Sequence, residues 1–128
     1  MSRPTAQFEN LVLSNLETLL RQTRLDKLVV LNAGPFQQKQ TRHQPGCQID
    51  LLLRSKHSLY LFEIKFRKRI DPSVTAEVEE KVRRLKLPRS TSVRLGLIYH
   101  GDLAEELRRS DYFDFLVPFS ALLGEAEP

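Results

Sequence analysis

At 128 residues the chain is long enough to bury a core and fits one domain, taken here as 1–128 with a core of about 6–118. With 41% hydrophobic and 28% charged residues it has the make-up of a folded globular protein, which excludes a disordered chain. The net charge of +4 permits nucleic-acid binding without demanding it, and the single cysteine, Cys47, excludes an intramolecular disulfide and a cysteine-based zinc site. No signal peptide and no membrane-spanning apolar run are visible, so the expected setting is cytoplasmic, with no membrane partner.

In chain order, Ser2 to Thr5 reads as a helix entry with Thr5 as cap. Phe8, Leu11, Val12, Leu16, Leu19 and Leu20 then recur at helical spacing and predict one amphipathic helix to about Arg24. Glu9 borders its apolar stripe, where an acid in the first turn also suits the helix dipole. Leu28-Val29-Val30-Leu31 predicts a strand, ended by the turn residues Asn32-Ala33-Gly34-Pro35. The polar, glutamine-rich Phe36 to Pro45 reads as a weak strand or a loop at the mouth of a site. His43 and His57 read as solvated side chains.

The stretch Gln48 to Phe66 organises the rest. Two apolar runs, Ile49–Leu53 and Leu59–Phe66, flank a short polar break and predict a β-hairpin. With the loop centred between Lys56 and His57, Leu53 faces Tyr60 and Asp50 faces Glu63. Alternation then gives Asp50, Leu52, Arg54, Leu61, Glu63 and Lys65 one face, bordered by Gln48. Ile49, Leu51, Leu53, Tyr60, Phe62, Ile64 and Phe66 take the other, as core. Two carboxylates directly opposite each other in apolar strands repel. A shared proton, a cation or a divalent metal would resolve that conflict. Lys65 supplies one cation. An Asp, Glu and Lys so arranged suit metal-assisted hydrolysis of a phosphodiester, with the acids holding a hard cation and the lysine stabilising charge on the phosphate. A ladder of solvated opposite charges is the plain structural alternative.

Arg67-Lys68-Arg69 follows directly and offers phosphate contacts. Asp71-Pro72 predicts a helix start, with Val74, Val78, Val82 and Leu85 as its buried stripe. Glu77 with Lys81 and Glu80 with Arg84 read as helix ion pairs, and Lys81 and Arg84 belong to a basic second half able to face DNA. Ser92 to Tyr99 predicts a strand ended by His100-Gly101. Asp102 is expected to cap a short helix through Arg109. Phe113 to Val117 reads as a last strand, Phe119 to Leu123 as a helical turn, and Glu125 onward as a tail. The order predicts an α/β fold with a mixed central sheet flanked by helices.

That order, α-β-β-β-α-β, with Asp50 on the second strand and Glu63-Ile64-Lys65 on the third, resembles the PD-(D/E)XK nuclease superfamily, the restriction-endonuclease-like fold. The wording around both motifs is similar to the nuclease-like domain at the C-terminus of prokaryotic AAA-type ATPases. The resemblance implies a nuclease hydrolysing DNA with Mg²⁺ or Mn²⁺. Asp50, Glu63 and the backbone carbonyl of Ile64 would be metal ligands, and Lys65 the catalytic lysine. Gln48 would stand beside them, and Glu9 matches an acid that some members place near the metal. It also implies a homodimer and an AAA-type ATPase as partner or fused domain. Ile49 stands where the family's usual proline precedes the aspartate. No phosphate-binding G-x-x-x-x-G-K-[ST] loop occurs, so the chain is not itself an ATPase. The alternative function is a catalytically inactive module of the same fold that binds nucleic acid or a partner protein. An antitoxin-like or assembly subunit is a third reading that no residue marks.

Overall fold

The computed structural model describes residues 6–123, with side chains from residue 10 onward. The elements are α1 (Ala6–Ser14), α2 (Leu16–Gln22), β1 (Asn32–Gln38), β2 (Cys47–Arg54), β3 (Ser58–Ile70), α3 (Ser73–Arg84), β4 (Ser92–Leu103), α4 (Glu105–Arg109), β5 (Phe115–Pro118) and α5 (Ser120–Leu123). The five strands form one mixed sheet in the order β1-β2-β3-β4-β5. β2 runs antiparallel to β1 and β3, whereas β4 runs parallel to β3 and to β5. The predicted mixed α/β architecture is therefore present. No helix among the described residues is long and apolar enough to cross a membrane.

The hairpin register agrees with the predicted one from Arg54–Leu59 to Leu51–Phe62, with Leu53 opposite Tyr60, but the pairing stops there and the expected rung Asp50–Glu63 does not form. Both faces of the sheet are covered, however. Leu59 and Leu61 pack against Val74 and Val78 of α3, while Leu51, Leu53, Tyr60, Phe62 and Ile64 pack with Val12 and Leu19 of α1 and α2. The expected single apolar face is thus one of two cores, and the acid-bearing face lies under α3. Ile49 also departs from expectation, because it joins Leu52 on the α3 side. Between the pairs Gly34–Leu52 and Phe36–Ile49, β2 advances three residues while β1 advances two. This bulge in β2, at Asp50-Leu51, changes the parity of the strand.

Several expected elements shift. The first helix is interrupted at Asn15, whose side-chain amide donates to the Leu11 carbonyl at 2.8 Å and competes with the helical ladder. The expected cap Thr5 and the tail from Glu125 lie outside the described residues. The run Leu28–Leu31 is not a strand, and Val29 and Leu31 are exposed (74% and 58%). The strand instead occupies Asn32–Gln38, including the residues read as a turn. As an edge strand β1 needs no continuous apolar run and tolerates Pro35.

What fixes β1 is Gln38. Its buried amide donates to the Pro45 carbonyl at 2.8 Å and to the Arg84 carbonyl at 2.7 Å, and accepts from the Lys86 amide at 2.8 Å. It ties β1 to the C-terminal end of α3. Gln38→Ala is expected to destabilise the chain by about 2 kcal/mol, since buried groups lose their partner. Urea unfolding measures this, and a change below about 0.5 kcal/mol, the size of an ordinary surface substitution, contradicts it.

Helix α3 begins at Ser73, a residue beyond the expected start, with Asp71 accepting from the Ser73 amide at 2.9 Å. Strand β4 does not stop at His100-Gly101. It continues to Leu103, so Asp102 lies in the strand and the short helix follows Ala104. The continuation depends on Gly101. Its φ is +128°, and a Cβ there would come 1.6 Å from the Arg67 carbonyl oxygen. Opposite it, β3 carries a bulge between Phe66 and Arg69, which places Arg67 and Lys68 at an irregularity and turns Ile70 onto the α3 face.

Candidate active site

Glu63 and Lys65 alternate with Leu61 along the α3 face of β3, and Asp50 sits on β2 just beyond the last paired rung, Leu51–Phe62. The three side chains are buried, at 3%, 1% and 3% exposure for Asp50, Glu63 and Lys65. Asp50 Oδ2 accepts the Ile64 amide at 2.9 Å. A carboxylate thus replaces a strand carbonyl where the ladder ends. Because a strand residue points N–H and C=O to the same neighbour, the Ile64 carbonyl faces the same gap.

Helix α3 completes the cluster. Lys81 Nζ donates to both Glu63 oxygens, at 2.9 and 3.2 Å, and Lys65 Nζ lies 3.3 Å from Glu63 Oε2. Lys65 also bonds Glu77 at 2.7 Å, and Arg67 lies 3.7 Å from the other Glu77 oxygen. The expected Glu77–Lys81 pair is therefore replaced. Each of the two reaches down to β3 instead of along the helix, because both flank the buried Val74 and Val78. The helix is seated by the Cys47 thiol, which donates to the Lys81 carbonyl at 3.4 Å, and by Arg84, which reaches the Gly46 carbonyl at 3.3 Å. Burial pushes the Cys47 thiol up from its ordinary value.

Burial, and then the neighbouring Asp50, raise the Glu63 carboxyl above its ordinary value, against the pull of Lys81 and Lys65. Partial burial acts the same way on Glu77, yet the Lys65 hydrogen bond and charge hold its carboxyl below the ordinary range. The result is a connected cluster of charges between β3 and α3, with Asp50 and Glu63 as adjacent acids and two lysines linking Glu63 to Glu77. Beside it opens a hollow of about 590 Å³ walled by Gln37, Cys47, Gln48, Glu77, Lys81 and Arg84.

The other expected residues divide. Gln48 is exposed and stands in the wall of the hollow, not among the buried charges. Glu9 lies on α1, and its side chain is outside the described residues. Of the expected phosphate contacts, Lys81 is engaged by Glu63, Arg67 by Glu77, and Arg84 by Glu80 at 2.6 Å. Lys68 and Arg69 are exposed. His43 and His57 are exposed, as expected. Glu77 is the residue of this cluster that the sequence pattern does not mark as part of a site. The available signal was its place one turn before Lys81 at the edge of the valine stripe. Among the described residues no group of three or more His, Cys, Asp or Glu side chains is placed to hold a metal ion. Compared with family models, with curated proteins and with solved structures, the chain has no significant match in any of the three.

Proposed function

We propose that the chain is a metal-dependent nuclease of the PD-(D/E)XK type that hydrolyses DNA phosphodiester bonds. The observation that carries this reading is the buried pair Asp50 and Glu63, set side by side at the end of the β2–β3 ladder with Lys65 next to them. Nothing in the packing of two apolar strands calls for two adjacent carboxylates, one of them with its ionisation disfavoured. The strand order and directions fit the fold that the resemblance implies.

The donor set fits a hard cation. Two carboxylates and the Ile64 carbonyl are oxygen ligands, few enough to leave sites for water and substrate, which is how Mg²⁺ is usually held. Such an ion, when bound, lowers the pKa of a water and neutralises charge on the phosphate. Asp50 and Glu63 would hold it, and Lys81, which pairs with Glu63 here, would have to release that carboxylate. Lys65, kept in place by Glu77, offers its ammonium to a phosphate oxygen as negative charge develops. Gln48 and Arg84 line the approach.

One observation favours the second reading, an inactive module that binds nucleic acid or a partner. The charges already satisfy one another, Glu63 through two lysines and Asp50 through an amide. Thermal unfolding with and without millimolar Mg²⁺ or Mn²⁺ separates the two, with cleavage of plasmid and single-stranded DNA followed in parallel. The expected result is a metal-dependent rise in Tm, about 1.4 kcal/mol at tenfold saturation. Asp50→Ala should abolish both the rise and the cleavage. No metal shift together with no cleavage would overturn the nuclease reading in favour of the module.

A further inference from the structure

We infer that a second hollow, at the far end of the same strands, is a phosphate-backbone site that anchors the nucleic acid away from the catalytic cluster. This rests on the reading of the chain as one that acts on nucleic acid. The hollow measures about 440 Å³ and lies where the β2–β3 turn meets the loop after α3. Four exposed cations line it, Arg54 at the end of β2, Lys56 in the turn, and Lys86 and Arg89 from the loop, with the hydroxyl residues Ser90 and Thr91 beside them. No acidic residue lines it.

The contrast with the catalytic cluster is the telling feature. There, Lys65, Arg67, Lys81 and Arg84 are each engaged by a carboxylate. Among the described residues, Arg54, Lys56, Lys86 and Arg89 form no ion pair with an acid. Four cations converging without counter-charge repel one another, and an anion relieves that repulsion. The floor is apolar, formed by Leu52, Leu59 and Leu85, and the wall includes Phe36, an aromatic side chain that is 40% exposed.

A small cleft of about 280 Å³ shares Gln37 and Gln48 with the catalytic hollow and Phe36 with the basic one. The surface between them thus runs along edge strand β1. From Ser58 to Lys65, β3 covers seven residue steps, about 23 Å at ~3.3 Å each. That span corresponds to about seven base pairs of duplex at ~3.4 Å each. A single DNA duplex can therefore lie over both.

The test is binding of a fluorescein-labelled DNA duplex longer than this span, read by anisotropy in EDTA buffer across a salt series, so that cleavage plays no part. Three proteins are compared: wild type, Arg54→Gln with Arg89→Gln, and a control with Arg108→Gln and Arg109→Gln. The control pair is exposed on α4 and changes the charge equally. Removing two phosphate contacts should lower the slope of log K against log salt by about 1.8 and the affinity about tenfold or more, with the control near wild type. Equal slopes for wild type and the Arg54/Arg89 variant would overturn the site, as would an equal loss in the control or absence of binding by wild type. Wild-type cleavage is measured separately. A nuclease with no slope change loses only this site, and a slope change without cleavage retains the site while the nuclease reading falls.

Discussion

Replacing Lys65 with methionine is expected to lower the turnover of DNA cleavage about 10²–10³-fold, the usual effect of removing one preorganised group that stabilises developing charge. Methionine is the informative substitution because Lys65 is buried, and an alanine would add a cavity to the loss of charge. The loss should fall on kcat with KM little changed, since the ammonium acts on charge that appears only in the transition state. A second consequence follows from Glu63. Lys65 is one of the cations that favour its ionised form, so removing it raises the Glu63 carboxyl further. The residual rate should therefore need a higher pH than the wild-type rate. Initial rates across a pH series, with thermal melts of the same samples, measure both. A rate within tenfold of wild type, with an unmoved pH profile, would leave Lys65 as a counter-ion for Glu63 and Glu77 and nothing more.

How much of this was legible in the sequence differs by element. The β2–β3 register follows from two β-rich runs and a short loop, because pairing within a hairpin is local. The acid–lysine triangle followed from that register, although its burial did not. Whether the second face of a strand meets water or a helix depends on where α3 lands, and the valine stripe shows only that α3 must land somewhere. For the same reason helical spacing does not give the partners of Lys81 and Glu77. Spacing makes an i,i+4 pair available, yet both side chains find buried partners on β3, where desolvation strengthens the interaction. The first strand was misplaced because its position is set by hydrogen bonds of Gln38 to residues far along the chain, while the apolar run Leu28–Leu31 lies in the connection before it. The β2 bulge leaves no mark in the residue pattern, and it alone moves Ile49 to the other core.

The charge cluster itself makes a prediction that separates a functional site from a structural one. Folding raises the Glu63 carboxyl above its ordinary value, first through burial and then through Asp50. Between the unfolded value, about 4.3, and the raised folded one, the folded chain binds more protons than the unfolded chain. Stability therefore falls as pH rises through that window, and above it the full penalty for ionised Glu63 is present. Glutamine has the shape of the protonated acid and carries no such penalty. In EDTA at pH 7, Glu63→Gln is thus expected to melt higher than wild type, by about 4 °C for each kcal/mol relieved. The gain should shrink as pH is lowered towards the ordinary carboxylate range, where wild-type Glu63 is protonated as well. Magnesium should reverse the order, because it stabilises the ionised pair of the wild type and finds one ligand fewer in the variant. Calorimetry at several pH values, with and without magnesium, measures this. If Glu63→Gln melts lower at pH 7, the ion pairs to Lys81 and Lys65 outweigh desolvation, and the acids are held for the fold's own sake. If it melts higher and loses its response to magnesium, the chain keeps a destabilising charge at this position, and binding a cation is what such a charge is suited to do.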